Sequence, residues 1–157
     1  MADFSNVSRR AAGTLLAGSL FAEQRGVRIS LRVASTKPDS GRDEVFITGD
    51  GKVLIASAAS LHATPKERTG AVPPEAIDRL LELIKYEGFE RWDDDYRSDA
   101  SAWVSKVLTI EAPGMPKKQV IMSRPEFPEF AHIVGAIKFL AAQACPDATS
   151  GKFFQRL

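Results

Sequence analysis

The chain is poor in the residues that build disulfides and metal sites, because its 157 residues include one cysteine and two histidines. Since Cys145 is alone, an internal disulfide and a zinc site made of several cysteine thiolates are excluded. The 21 basic and 20 acidic side chains leave a formal net charge of +1, so no strong field attracts nucleic acid or an anionic membrane. The chain also lacks the roughly 20 consecutive apolar residues that a transmembrane helix needs. The composition therefore predicts neither a nucleic-acid partner nor a stable membrane span.

The motifs of common catalytic sites are missing as well. His62 and His132 are isolated in the sequence, so they do not have the spacing of a zinc site. No serine lies in a Gly-x-Ser-x-Gly motif, which positions the nucleophile of many hydrolases. The segment Gly49-Asp50-Gly51-Lys52 has the wrong spacing for a phosphate-binding loop, and turn geometry explains its glycines. The sequence therefore predicts no cofactor and leaves the catalytic residues, if any, unknown.

The N-terminus has the layout of an export signal. Arg9 and Arg10 stand directly before a short, weakly apolar run rich in alanine and glycine, residues 11–22. This order is typical of a bacterial twin-arginine signal and predicts a periplasmic or secreted protein. The alternative is an N-terminal amphipathic helix that packs on the domain through Leu15, Leu16 and Leu20, in which case the protein is cytoplasmic.

The remainder has the size and composition of one soluble domain. Hydrophobic residues make up 44% of the chain and charged residues 26%, both ordinary values for a globular protein. We divide the chain into residues 1–22 (signal or helix), residues 23–149 (a single domain) and residues 150–157 (a tail). The domain is expected to be a monomer or a weak dimer. Cys145 is expected to pack near a helix end, and an intermolecular bridge is its alternative role.

The first half of the domain carries strand patterns. Residues 27–33 alternate apolar and polar side chains, which predicts a strand with one buried face and with Arg28, Ser30 and Arg32 facing water. Residues 44–48 and 52–56 flank the pair Asp50-Gly51, which predicts a hairpin with a type I′ turn. The first three strands therefore form an antiparallel meander.

The second half adds helices and another hairpin. A polar connection over residues 60–70 leads to a helix opened by Pro74 and ended near Gly88, with an apolar stripe at i, i+3, i+4 and i+7. After a loop over residues 89–102, a second hairpin and a second helix follow; the apolar stripe of that helix consists of Phe130, Ile133, Val134, Ile137 and Leu140. The order predicts an α+β fold, in which a mostly antiparallel sheet of about five strands carries both helices on one face.

Five segments of the domain occur in an order that is typical of one protein family. They are Ile29-Ser30-Leu31-Arg32, Gly49-Asp50-Gly51-Lys52-Val53, Gly88-Phe89-Glu90, residues 93–99 and Lys118-Gln119-Val120. Together they resemble a bacterial family of small, mostly exported α+β domains of unknown function. The resemblance covers roughly residues 27–144 and implies the fold and the compartment, without an activity. Many members carry a Cys-x-x-x-Cys-Pro element between the first two strands, and residues 34–39 at the matching place contain no cysteine, so no redox role is carried over.

An acidic loop, residues 92–99, holds the candidate metal ligands. Asp93, Asp95 and Asp99 supply hard oxygen atoms of the kind that calcium binds. Counted from Asp93, the sequence has Ser98 at the sixth position and Val104 at the twelfth, where the helix-loop-helix calcium motif requires a glycine and a glutamate. The alternative is a solvated connection that Trp92 and Tyr96 anchor to the core, in which Arg97 pairs with a neighbouring carboxylate.

Two functions from different classes fit these observations. The first is an exported, non-catalytic binding domain whose open sheet face contacts an envelope protein, a wall component or a small ligand. The second is a small hydrolase-like or metal-dependent enzyme with a site near residues 93–99, completed by Arg124 or His62. The first is favoured, because active sites concentrate titratable groups and this sequence shows no such concentration.

Overall fold

A computed structural model of the chain describes residues 26–35, 37, 40–60, 62–97, 104–123 and 125–150. Within them no helix combines the length and the apolar character that crossing a bilayer requires. The strands are β1 (Arg28–Ser35), β2 (Arg42–Thr48), β3 (Lys52–Ala58), β4 (Lys66–Ala71), β5 (Asp95–Tyr96), β6 (Val104–Ala112) and β7 (Met115–Met122). The helices are α1 (Pro74–Tyr86), α2 (Pro128–Ala144) and two short 3-10 helices, Phe89–Arg91 and Pro146–Ser150.

The strands form one sheet in the order β4-β3-β2-β1-β6-β7-β5, and every neighbouring pair is antiparallel except β5 and β7. Alternate residues of the central strands, such as Leu31, Val45 and Leu108, form a single buried core with Ile77 of α1 and Ile133 of α2. Both helices therefore cover the same face. The predicted α+β class is confirmed, but the sheet has seven strands where about five were expected.

The first additional strand is β4, which lies in the segment predicted to be a polar connection. Its residues pair with β3, with Arg68 opposite Ile55 and Gly70 opposite Val53. No apolar alternation marks this strand, because it lies at the sheet edge and five of its six residues are exposed. Its pairing comes from the backbone, and its charged side chains are of the kind that protects an edge from further pairing.

The second additional strand is β5, two residues inside the predicted loop over residues 89–102. It runs parallel to β7, with Asp95 opposite Ile121 and Tyr96 opposite Met122. The Ile121 amide donates a hydrogen bond to the Asp94 carbonyl at 2.9 Å. Two residues are too few for periodicity to reveal a strand.

The β2–β3 hairpin is confirmed, but the predicted type I′ turn at Asp50-Gly51 is wrong. The Gly51 amide donates to the Thr48 carbonyl at 3.0 Å, so Gly49 and Asp50 are the central residues of the turn. Gly51 follows with φ of +89°, whereas Gly49 is not among the glycines with positive φ. A turn followed by one left-handed residue is the usual three-residue hairpin loop.

α1 begins and ends as its sequence predicts. Pro74 and Pro128 occupy first-turn positions of α1 and α2, and Gly88, with φ of +76°, is the second residue after the end of α1. A hydrogen-bonded pair between His132 Nδ1 and Glu87 Oε1, 2.9 Å apart, connects the end of α1 to α2. His132 is exposed, as expected from its place outside the apolar stripe.

Candidate functional site

The face of the sheet opposite the helices, called the helix-free face below, carries the second set of alternating side chains. Because successive residues of a strand point to opposite faces, the core residues fix which of their neighbours lie on this face. The register then aligns these neighbours in rows across β2, β1 and β6. One row consists of Phe46, Ser30 and Thr109, and the next consists of Thr48, Arg28 and Glu111.

These rows form a regular grid, since neighbouring strands lie about 4.8 Å apart and residues i and i+2 of a strand about 6.7 Å apart. On β1 the grid confirms the prediction that Arg28 and Ser30 face away from the core, with buried Ile29 between them. Each neighbouring strand contributes two more side chains to the same patch. A set of polar groups therefore converges although no single strand contains more than two of them.

β7 adds a further cation, Lys117, beside a β-bulge. Ile110 pairs with Lys118 and Ala112 pairs with Met115, so β7 has one more residue than β6 between these two pairs. The extra residue changes the phase of the alternation. Met115 therefore points into the core, where it is 4% exposed, while Lys117 lies on the helix-free face. Bulges commonly redirect a side chain in this way next to functional sites.

The rows enclose a pocket of about 240 Å³. Phe46, 38% exposed, is its large apolar wall. Hydroxyl and charged side chains make up most of the remaining lining. We call this site the sheet-face pocket and define it by the side chains of Arg28, Ser30, Phe46, Thr48, Thr109, Glu111 and Lys117.

The three charged groups of the pocket are not paired with one another. Arg28 and Glu111 are direct cross-strand neighbours, yet in the described part of the chain neither they nor Lys117 forms an ion pair within 4.0 Å. Two cationic groups and one carboxylate are thus available to a ligand. The described lining contains no histidine or cysteine.

Two hydroxyl groups of the pocket, those of Thr48 and Thr109, already take part in hydrogen bonds. Thr48 Oγ1 donates to Asp50 Oδ1 at 2.5 Å, and this bond is the main reason that the pKa of Asp50 lies below its usual value. Gln119 Nε2 donates to Thr109 Oγ1 at 3.3 Å, which leaves the Thr109 hydroxyl able to donate its proton. The pocket therefore offers hydrogen-bond donors in addition to its charges.

Glu44 lies farther along the helix-free face, opposite Arg32. Burial raises the pKa of this carboxyl above its usual value, and the nearby charges of Arg32 and Arg42 oppose the shift without cancelling it. The Nε atom of Arg32 is itself buried and has no hydrogen-bond partner among the residues that the structure describes. This pair is outside the pocket lining.

In the acidic loop, the structure shows where two of the three predicted metal ligands lie. The Asp95 carboxylate accepts hydrogen bonds from Arg97 Nε at 2.9 Å and from Arg97 Nη2 at 2.5 Å. These side-chain bonds are the main reason that the pKa of Asp95 lies below its usual value. The Asp93 amide donates to the Tyr96 hydroxyl at 2.8 Å, and the Asp93 side chain is exposed. The predicted pairing of Arg97 with a neighbouring carboxylate is confirmed.

The remaining candidate, Asp99, lies outside the described residues, as do Arg124 and the export pair Arg9 and Arg10. His62 is exposed in the connection between β3 and β4. Among the residues that the structure describes, no three histidine, cysteine or acidic side chains are placed to hold a metal ion.

The acidic loop is anchored to the core, as predicted. The Trp92 indole donates from Nε1 to the Glu87 carbonyl at 3.2 Å and stacks edge-on against Phe127 at 4.8 Å between ring centroids. Tyr96 contacts Phe127 at 5.1 Å. Lys118 Nζ also donates to the carbonyls of Glu90 and Trp92. These contacts hold residues 92–96 against the core.

A second concavity lies between the two helices. It measures about 540 Å³, and Leu80, Leu83 and Phe139 dominate its lining, with Phe139 64% exposed. Arg79 and Gln143 are the polar contributors to this groove. It is larger than the sheet-face pocket, but it lacks a convergent set of charged groups, so nothing in its lining specifies a ligand.

Comparison with known proteins found no matching family model and no matching curated protein. The resemblance to the exported family therefore remains a prediction. Sequence reasoning placed Arg28 and Ser30 on a solvent face, but it missed the contributions of Phe46, Glu111 and Lys117 to a common site. Alternation within each strand predicts on which face of that strand these residues lie. It does not predict that β1 and β6 are neighbours in the sheet.

Proposed function

We propose that this protein is an exported, non-catalytic binding domain and that the sheet-face pocket holds a small polar ligand. One observation carries the proposal: Arg28, Glu111 and Lys117, which form no ion pair with any residue that the structure describes, converge on a pocket that also presents hydroxyl groups and Phe46. Binding sites commonly combine an apolar wall with a few convergent polar groups of this kind. The export part of the proposal rests on the twin-arginine layout of the N-terminus.

The chemistry of the lining supports binding over catalysis. A hydrolytic site needs a nucleophile beside a base that a third group orients. The described lining has hydroxyl groups and one carboxylate, but no histidine or cysteine.

The metal-dependent alternative near residues 93–99 has less support. Arg97 already occupies both oxygen atoms of Asp95, and a divalent cation would have to displace this guanidinium. Calcium needs six to eight oxygen ligands. We therefore treat metal binding at this loop as a competing outcome of the experiment below.

The proposal is tested by recording amide NMR spectra of the labelled protein during titration with separate pools of amino acids, monosaccharides and dicarboxylates. We expect at least one pool to shift the amides of Ser30, Phe46 and Thr109. Phe46→Ser should weaken that binding, and Phe139→Ser in the groove between the helices should leave it unchanged.

Two results would contradict the proposal. One is that no pool shifts the pocket amides at millimolar concentration. The other is that shifts appear only at residues 93–97, and only when calcium or magnesium is added, which would favour the metal-dependent alternative.

A further inference from the structure

The position of two opposite charges narrows the class of ligand, if the sheet-face pocket is a binding site as proposed above. Arg28 and Glu111 face each other on adjacent strands, whose backbones lie about 4.8 Å apart. A ligand that satisfies both must therefore carry an anionic and a cationic group close together. In an α-amino acid, the carboxylate and the ammonium group are attached to the same carbon atom.

The chemistry of each side chain fits one of these groups. A guanidinium is a planar fork that binds a carboxylate through two parallel hydrogen bonds. A carboxylate has only acceptor oxygen atoms, which suit the three N–H donors of an ammonium group. Arg28 is thus suited to the ligand carboxylate and Glu111 to the ligand ammonium group. Lys117, on the far side of Glu111, adds positive charge and disfavours a purely cationic ligand.

The dimensions of the pocket limit the ligand to a small molecule. A volume of about 240 Å³ corresponds to about eight water molecules at their share of liquid volume. Pockets for drug-sized ligands measure about 300–1,000 Å³. A single amino acid fits this size.

We propose that the sheet-face pocket recognises a free α-amino acid, with Arg28 binding its carboxylate, Glu111 binding its ammonium group and Phe46 contacting its side chain. This inference rests on the proposed binding function and names its ligand class. The Thr109 hydroxyl, in the same row as Phe46, supplies a further donor to the ligand.

Isothermal titration with leucine and two derivatives tests the proposal. N-acetyl-leucine lacks the ammonium group and leucinamide lacks the carboxylate. We expect leucine to bind and each derivative to bind at least about tenfold more weakly, because a hydrogen bond to a charged group contributes that much. Arg28→Gln and Glu111→Gln should each reduce the affinity for leucine by a similar factor.

Control variants separate the pocket from general charge effects. Lys85→Gln and Glu75→Gln make the same changes of charge at exposed positions of α1, behind the opposite face, and should leave the affinity unchanged. Phe46→Ser should weaken the binding of leucine but not that of glycine, which has no side chain to contact the ring. Circular dichroism melts would verify that each variant is folded.

The outcomes distinguish this inference from the binding function. Equal affinities for leucine and N-acetyl-leucine would overturn the amino-acid assignment, as would a pocket that binds a monosaccharide or a dicarboxylate but not leucine. In both cases the sheet-face pocket would remain a binding site. If no compound shifts the pocket amides, the inference and the binding function fail together.

Discussion

The contact between the edge strand β4 and the end of α2 gives the sharpest test of the fold. Gly70 of β4 lies against the backbone of Ala144, the last residue of α2. A Cβ atom added at Gly70 would overlap the Ala144 carbonyl oxygen and would lie 2.6 Å from the carbonyl carbon. The missing side chain at Gly70 therefore permits the helix end to approach the sheet, and Gly70→Ala must push the two apart.

The size of the effect follows from the atoms involved. Both obstructing atoms belong to the backbone, so no side-chain rotation relieves the overlap, and α2 has to shift away from β4. Overpacking of this kind costs about 1–3 kcal/mol of unfolding free energy. For a domain of this length the loss corresponds to a decrease in Tm of roughly 2–12 °C. Buried Cys145, directly after Ala144, would move with the helix end.

Gly135 supplies a matched control within the same helix. A Cβ atom added there meets no atom within 4 Å, and the position is exposed in the interior of α2. Alanine is favoured over glycine in helix interiors by roughly 0.5–1 kcal/mol, so Gly135→Ala should raise the Tm. The same added methyl group thus has opposite effects at the two sites, which thermal and urea melts can compare directly.

One outcome would refute this reasoning. If Gly70→Ala melts at or above the temperature of the unmodified protein, the end of α2 does not press on β4 as described. A loss of amide protection confined to β4 and to the last turn of α2 would instead localise the strain to the predicted contact.

Three further predictions concern the hairpin, pH dependence and export. Gly51→Val should lower the unfolding free energy by about 1–3 kcal/mol in urea melts, because a β-branched residue is strained at a φ of +89°; an unchanged midpoint would contradict the turn. Burial raises the pKa of Glu44 in the folded state. The stability that this carboxyl contributes is therefore fully present at a pH below its unfolded pKa near 4.5, and it is lost as the pH rises through its folded pKa. Glu44→Gln should therefore raise the Tm at pH 7 but not at pH 4. The control Glu67→Gln, at an exposed position, should leave the Tm unchanged at both pH values. Replacing Arg9 and Arg10 with lysine should keep the protein in the cytoplasm in a fractionation assay, and continued export would reject the twin-arginine assignment.

The strands and helices that bury an apolar face could be predicted from the sequence. The alternation around Ile29 and the helical stripe around Ile77 were recognisable because burial selects the residue type at regular intervals. β4 had no such signal, since backbone pairing holds an edge strand whose side chains remain in water. The sequence predicted that Gly70 ends a polar connection. In the structure its missing side chain makes room for the end of α2. This contact joins segments that are distant in the chain, so no local pattern reveals it.

The candidate site depended on strand order more than on local pattern. Periodicity placed Arg28 on a solvent face, and the same argument applied to β6 places Glu111 on one face of its own strand. Nothing local to either strand indicates that β1 and β6 are neighbours, because their pairing joins residues from opposite ends of the domain. Arg28 and Glu111 can therefore be recognised as neighbours only once the strand order of the sheet is known. The ligand assignment rests on this neighbour relation.

The bulge in β7 separates a residue of the core from a residue of the pocket. Strict alternation from Gln119 would place Lys117 and Met115 together on the helix-free face. Met115 is buried in the core instead, and one extra residue in β7 reconciles the two positions. Pro116 fits this irregular step, because it has no backbone N–H to donate to the ladder. The bulge therefore lets Met115 enter the core, while Lys117 keeps the place on the helix-free face that alternation from Gln119 gives it.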